Sequence, residues 1–136
     1  ELKNVMDINV NSFLRIAKIL IPFMIQNKFM LISIGAIPGA LFRWQIDNIF
    51  IVNIIGCFLL GMINSLPISR RYKLIFGFGF CGSLTTFSGW SFQLFQLISK
   101  GLYKLFFLNS VLFVVIGFFA ICLGDLFARK VINSVK

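Results

Sequence analysis

Gly77-Phe-Gly-Phe-Cys-Gly-Ser-Leu-Thr-Thr-Phe-Ser-Gly-Trp90 gathers glycines and hydroxyls into the middle of a long apolar run, residues 74–98. A run of that length can cross the hydrocarbon of a bilayer, but this composition does not favour one continuous helix. Inside lipid, an interrupted helix must satisfy its freed amides and carbonyls by other means, so breaks persist only where protein, water or an ion meets them. Carbonyls freed at such a break suit a small cation. Gly77, Gly79 and Gly82 alone read equally well as residues that let helices approach closely. Thr85, Thr86 and Ser88, three hydroxyls in four positions, are more polar than packing requires.

Outward from this stretch, three further runs approach spanning length: residues 29–43, with a backward extension to Gln26, residues 49–66, closed by Pro67, and residues 105–127. Arg129 and Lys130 mark the exit of the last. Of the 136 residues, 59% are hydrophobic, 18 are Phe and only four are acidic, too little polar surface to clothe a soluble helical core. The chain therefore reads as an all-α integral membrane four-helix bundle with a broken third helix. Residues 29–136 form that domain and residues 1–28 an N-terminal extension. Phe13, Ile16, Ile19, Leu20 and Phe23 at helical spacing, with Arg15 and Lys18 between them, describe an interfacial amphipathic helix there. A start at Met6, Met24 or Met30 would remove part or all of it.

The net charge of +9 comes from short basic clusters between apolar runs and not from one polar face, which fits anionic lipid headgroups and not nucleic acid. Cys57, Cys81 and Cys122 lie inside apolar runs, without the spacing of a zinc site or a redox dithiol, and read as packing residues. With no His, and only Glu1, Asp7, Asp47 and Asp125 acidic, the chain lacks the usual parts for acid–base or metal-assisted catalysis. An enzyme is not expected. Only Asp125, near the end of the last run, resembles the membrane carboxylate of a proton-driven transporter, so passive conduction fits better than pumping.

Lys and Arg alternate in number between the two sides of the bundle. Ten lie on the side of the N-terminal segment, the loop after the second run and the C-terminal tail, and three, Arg43, Lys100 and Lys104, on the other. The positive-inside rule puts both termini in the cytoplasm.

Three motifs carry a resemblance to a known family. Gly82-Ser-Leu-Thr-Thr-Phe-Ser88 is similar to the Gly-Gly-x-Thr-Thr-Phe-Ser signature of the Fluc (CrcB) fluoride channels. Gly35-Ala-Ile-Pro-Gly-Ala-Leu-Phe-Arg43 resembles that family's first-helix pattern, and Asn53-Ile-Ile-Gly-Cys-Phe-Leu-Leu-Gly61 its second-helix pattern. Each is weak alone; together, in order, on four spans, they are specific. The likeness covers roughly residues 29–127.

The resemblance implies an antiparallel dimer with two fluoride pores and a structural sodium ion at the two-fold interface, in the plasma membrane of a bacterial cell. The sodium would be held by backbone carbonyls of Gly82 and Thr85 from both subunits, while Asn53 lines the pore and Phe87 and Trp90 offer ring edges to fluoride. Elementary chemistry is consistent with this. Burying an unpaired small anion costs tens of kcal/mol, and the Asn53 amide with the Thr86 and Ser88 hydroxyls can replace its water. Aromatic edges carry partial positive charge, and Phe87 and Trp90 stand three residues apart on one helix face. Any single Phe among 18 is more often packing than function; Asn53, a lone amide in an apolar run, needs a partner or a ligand. Asn64 either extends a polar track from Asn53 or sits at the membrane surface, and Asn109 and Ser110 are candidates for the same track. Arg43 either draws anions into a vestibule or snorkels to the headgroups, and Gly35 and Gly39 most simply allow close helix approach.

Two departures stand out. Gly89 and Trp90 occupy positions where the family has Thr-Phe, which removes a hydroxyl and puts a larger ring, with an indole N–H, beside the pathway. The ten-to-three charge bias opposes insertion in both orientations, so the partner is either a second copy or, as the bias suggests, a homologous subunit of opposite bias. Two other readings are a small dual-topology drug exporter, which needs a membrane carboxylate that the first run lacks, and a non-conducting subunit that modulates a partner.

Overall fold

The computed structural model describes residues 28–134. Apart from Lys28, the expected N-terminal extension lies outside the described residues. Those residues form an all-helical protein, with no strand among them. Helix α1 is Phe29–Gln45 and helix α2 is Ile49–Ser65. At 17 residues each, they are ~25 Å long. Asn48 starts α2 as a side-chain cap, its Oδ1 accepting the N–H groups of Phe50 at 3.0 Å and Ile51 at 3.2 Å. Pro67 follows the helix and cannot continue it, so α2 stops within a residue of the expected boundary.

Helix α3 covers residues 70–84. It opens as an α-turn at Arg70–Tyr72, takes the wider π-type winding over Lys73–Cys81 and closes as an α-turn at Gly82–Leu84. Thr85 and Thr86 are extended, and helix α4, Phe87–Ser99, begins after them. Gly101, at φ 72°, adopts the left-handed conformation that closes α4, with its N–H donating to Ile98 O at 2.9 Å and that of Leu102 to Leu97 O at 2.9 Å. Helix α5, Tyr103–Ser134, is 32 residues long. It outruns the apolar segment 105–127 at both ends because hydropathy marks the hydrocarbon, whereas the helix continues through any good helix former.

Two pairs of helices build the molecule: α2 lies along α5, and α1 along α3. Both pairings depend on backbone contact. A methyl at Gly35 would overlap the Ile75 carbonyl, and one at Gly79 the Ile32 carbonyl; on the other side, Gly61 faces the Ile121 carbonyl and Gly124 the Phe58 carbonyl. The Ser83 hydroxyl ties α3 to α1 by donating to Ala36 O at 2.9 Å. The core is thin, centred on Val52, Cys81 and Leu84 where α2 meets α3, with Ala120 and Ala128 on α5. Large apolar side chains cover the outside: Phe107 is 66% exposed and Phe118 64%. Such a surface suits lipid and not water, and α5 is long and apolar enough to cross a membrane.

Candidate functional site

The break between α3 and α4 lies against α2. In a continuous helix the Thr86 N–H would return to the Gly82 carbonyl. Here it donates to Asn53 Oδ1 at 2.8 Å. Asn53 Nδ2 in turn donates to Thr86 O at 3.3 Å and to Ile49 O at 2.9 Å. Room for the break comes from Gly56, one turn along α2, where a side chain would strike the Thr85 methyl. The Thr85 hydroxyl turns back to Cys81 O at 3.0 Å, and Gly82 O receives only a long 3.5 Å contact from it. Gly82 is exposed, with nothing within 4 Å of the place a side chain would take.

These features test the residues expected to hold a cation. The Gly82 carbonyl has lost its helical N–H, and Thr85 carries an extended backbone whose carbonyl stands outside the helical ladder. Both are the neutral oxygen ligands a hard cation takes. From one chain the two carbonyls make a partial ligand set for such a cation.

Across the break, Thr86 caps α4: its Oγ1 accepts the Gly89 N–H at 3.2 Å and lies 3.1 Å from the Ser88 hydroxyl. The N-terminal turn of a helix carries a partial positive charge and suits an anion. Phe87 projects from that turn and is 76% exposed. Its ring stands edge-on to Trp90, with centroids 5.3 Å apart, and Trp90 stacks on Phe113 of α5 at 4.9 Å. The Trp90 indole nitrogen is buried without a hydrogen-bond partner among the described residues. Beside it, between α4 and α5, is a cavity of about 250 Å³ whose polar lining includes Gln93 and Asn109.

Asn53, Thr86, Phe87, Ser88 and Trp90 are thus brought together, with Gly82 and Thr85 on the other side of the break. Arg43 is not joined to them: it stands exposed in the last turn of α1, making no side-chain hydrogen bond or ion pair among the described residues. Asn64 is exposed, and its carbonyl accepts from Lys73 Nζ at 2.7 Å. A cavity of about 290 Å³ runs from Asn64 to Gly82 and Thr85 past Gly56 and Cys57. Asn109 and Ser110 turn back to their own helix, donating to Leu105 O and Phe106 O, each at 2.8 Å. Asp125 is engaged by the Ser65 hydroxyl and by Arg129 Nε at 3.0 Å.

Gly56 stood in the second-helix motif without a stated role, and sequence reading missed Gln93 and Phe113. The stacking of Phe113 on Trp90 joins two helices and has no local signature.

The family model described as CrcB-like protein, Camphor Resistance (CrcB) matches residues 30–125, which include α2, the break and the aromatic group after it. The chain is 60% identical over 105 residues to "Fluoride-specific ion channel FluC 1" of Prochlorococcus marinus (strain NATL2A), covering 77% of this chain and 92% of that protein. It is 41% identical over 103 residues to "Fluoride-specific ion channel FluC" of Methanocaldococcus jannaschii, covering 65% of this chain and 83% of the relative. With "Fluoride-specific ion channel FluC 2" of Prochlorococcus marinus (strain MIT 9313) it shares 49% identity over 75 residues, 55% of this chain and 60% of that protein. A match over most of the chain, together with relatives of this identity, makes the chain a member of the CrcB family.

Proposed function

We propose that the chain is a subunit of a passive, fluoride-selective channel that lets fluoride leave the cytoplasm and so relieves its toxicity. The observation that carries this reading is the α4 N-terminus, where Phe87 stands 76% exposed, edge-on to Trp90, beside the Thr86 and Ser88 hydroxyls. A small anion gives up water only where donors replace it. Two hydroxyls, the positive end of a helix and aromatic edges supply a weak, multi-site substitute, which favours passage over tight capture. Asn53 belongs to the same wall, and Arg43 raises the local anion concentration at one mouth.

On this reading α3 and α4 are two halves of one interrupted third span, in a four-span domain over residues 29–136. Two subunits pair antiparallel in the plasma membrane, and a structural sodium ion sits between the Gly82 and Thr85 carbonyls of both. When bound, the ion would take up the lone pairs of these carbonyls in place of the lost helical N–H groups. The ten-to-three charge bias favours pairing with a homologous subunit of opposite bias over pairing with a second copy. A drug exporter is disfavoured because Asp125, the carboxylate on α5, is already engaged by Ser65 and Arg129.

Fluoride efflux from liposomes containing the purified chain, followed with a fluoride electrode and with chloride as the control, tests this. Fast fluoride release without chloride release is expected, either from the chain alone or after co-reconstitution with a homologous subunit. No release in either case would overturn the reading.

A further inference from the structure

Asn53 is the one buried polar side chain among the described residues, 7% exposed on the face of α2 that meets the break. A primary amide has two N–H donors and one carbonyl oxygen. One donor is used on the Ile49 carbonyl at 2.9 Å and the other on the Thr86 carbonyl at 3.3 Å, while the oxygen takes the Thr86 N–H at 2.8 Å. The side chain thus grips both polar groups of a single backbone residue, as an adjoining strand would. Both contacts of the amide nitrogen thus go to backbone carbonyls. The bond to Thr86 also competes directly with helix continuation, since the same N–H would otherwise close on Gly82 O. Gly56, one turn away, admits the Thr85 methyl, so α2 presents a fitted cradle for the two extended residues.

We propose that Asn53 is a positioning residue that clamps the backbone of Thr86, and by doing so holds the Gly82 carbonyl out of the helical ladder and fixes the α4 turn that carries Phe87 and Ser88. The inference deepens the channel reading and rests on it for its consequence, but the clamp exists without any ion. A donor alone cannot replace Asn53. Asn53→Ser keeps a hydroxyl for an anion but is too short to bridge the N–H and the carbonyl of Thr86. Asn53→Asp can still accept the Thr86 N–H.

Hydrogen–deuterium exchange of the full chain in detergent micelles tests the clamp, with amides of α5 as the control for folding. In Asn53→Ser the Thr86 amide should exchange about tenfold faster or more, with α5 unchanged. In Asn53→Asp most of the protection at Thr86 should remain. The sodium concentration that gives a fixed rise in thermal stability should increase severalfold in Asn53→Ser, a change that loss of a pore donor alone would not produce. Unchanged exchange at Thr86 in Asn53→Ser overturns the proposal. If that variant also opens α5, Asn53→Asp decides: protection kept at Thr86 supports the clamp, and protection lost there with α5 intact overturns it. The exchange readout uses neither fluoride nor flux, so a chain that failed to conduct would leave it standing.

Discussion

An indole N–H is a donor wherever it sits, and the one on Trp90 is buried with no acceptor among the described residues. Removing a buried, unpaired donor is close to neutral or stabilising. Trp90→Phe should therefore leave the melting temperature in detergent unchanged or raise it. The smaller ring should also increase fluoride efflux several-fold if the indole narrows the pathway. Phe87 behaves differently because its ring is exposed and packs only edge-on to Trp90. Replacing it by Ile keeps the apolar bulk and removes the positive ring edge, so efflux should fall about tenfold, the effect of ~1.4 kcal/mol, with unchanged elution on size exclusion. Liposome flux and thermal unfolding of the two variants check both expectations.

Among the elements, the α2–α5 pairing leaves no room for added volume at Gly61 and Gly124. Gly124 rests against the Phe58 carbonyl, a backbone atom that cannot swing aside as a side chain would. Gly124→Ala should cost about 1–3 kcal/mol, measured as a drop in unfolding midpoint in detergent. The cap on α2 is a smaller matter: Asn48→Ala leaves two amides unpaired and should cost about 1 kcal/mol in the same measurement. Apolar run length was enough to locate α1, α2 and α5 in the sequence, and Pro67 fixed the end of α2. Within the stretch of glycines and hydroxyls, Thr85 and Thr86 are extended between α3 and α4. The π-type winding over Lys73–Cys81 was not legible, because it is a choice of hydrogen-bond partner made while α3 lies against α1. Asn53 was legible as an amide needing a partner. That its partner is the backbone of Thr86, 33 residues away, depends on how α2 and the break meet, and no local pattern encodes it.

At the scale of the whole molecule, the proposed four-span reading leaves orientation to the distribution of charge. Arg70, Arg71 and Lys73 lie on the side that already carries the excess of basic residues. Changing all three to Gln should reduce the bias and yield a mixed population of orientations, scored by labelling a cysteine placed near Ser134 from each side of the membrane in turn. The parent chain should label from one side only.

Helix α5 gives that orientation a visible outline. Its 32 residues rise ~48 Å, while the hydrocarbon is ~30 Å thick, so a spanning α5 would carry part of its length beyond the hydrocarbon as a short mast. An antiparallel pair would bear its two masts on opposite faces of the bilayer and a parallel pair both on one. The silhouette of a particle in a nanodisc, seen edge-on, would then tell a single copy from a pair, and an antiparallel pair from a parallel one.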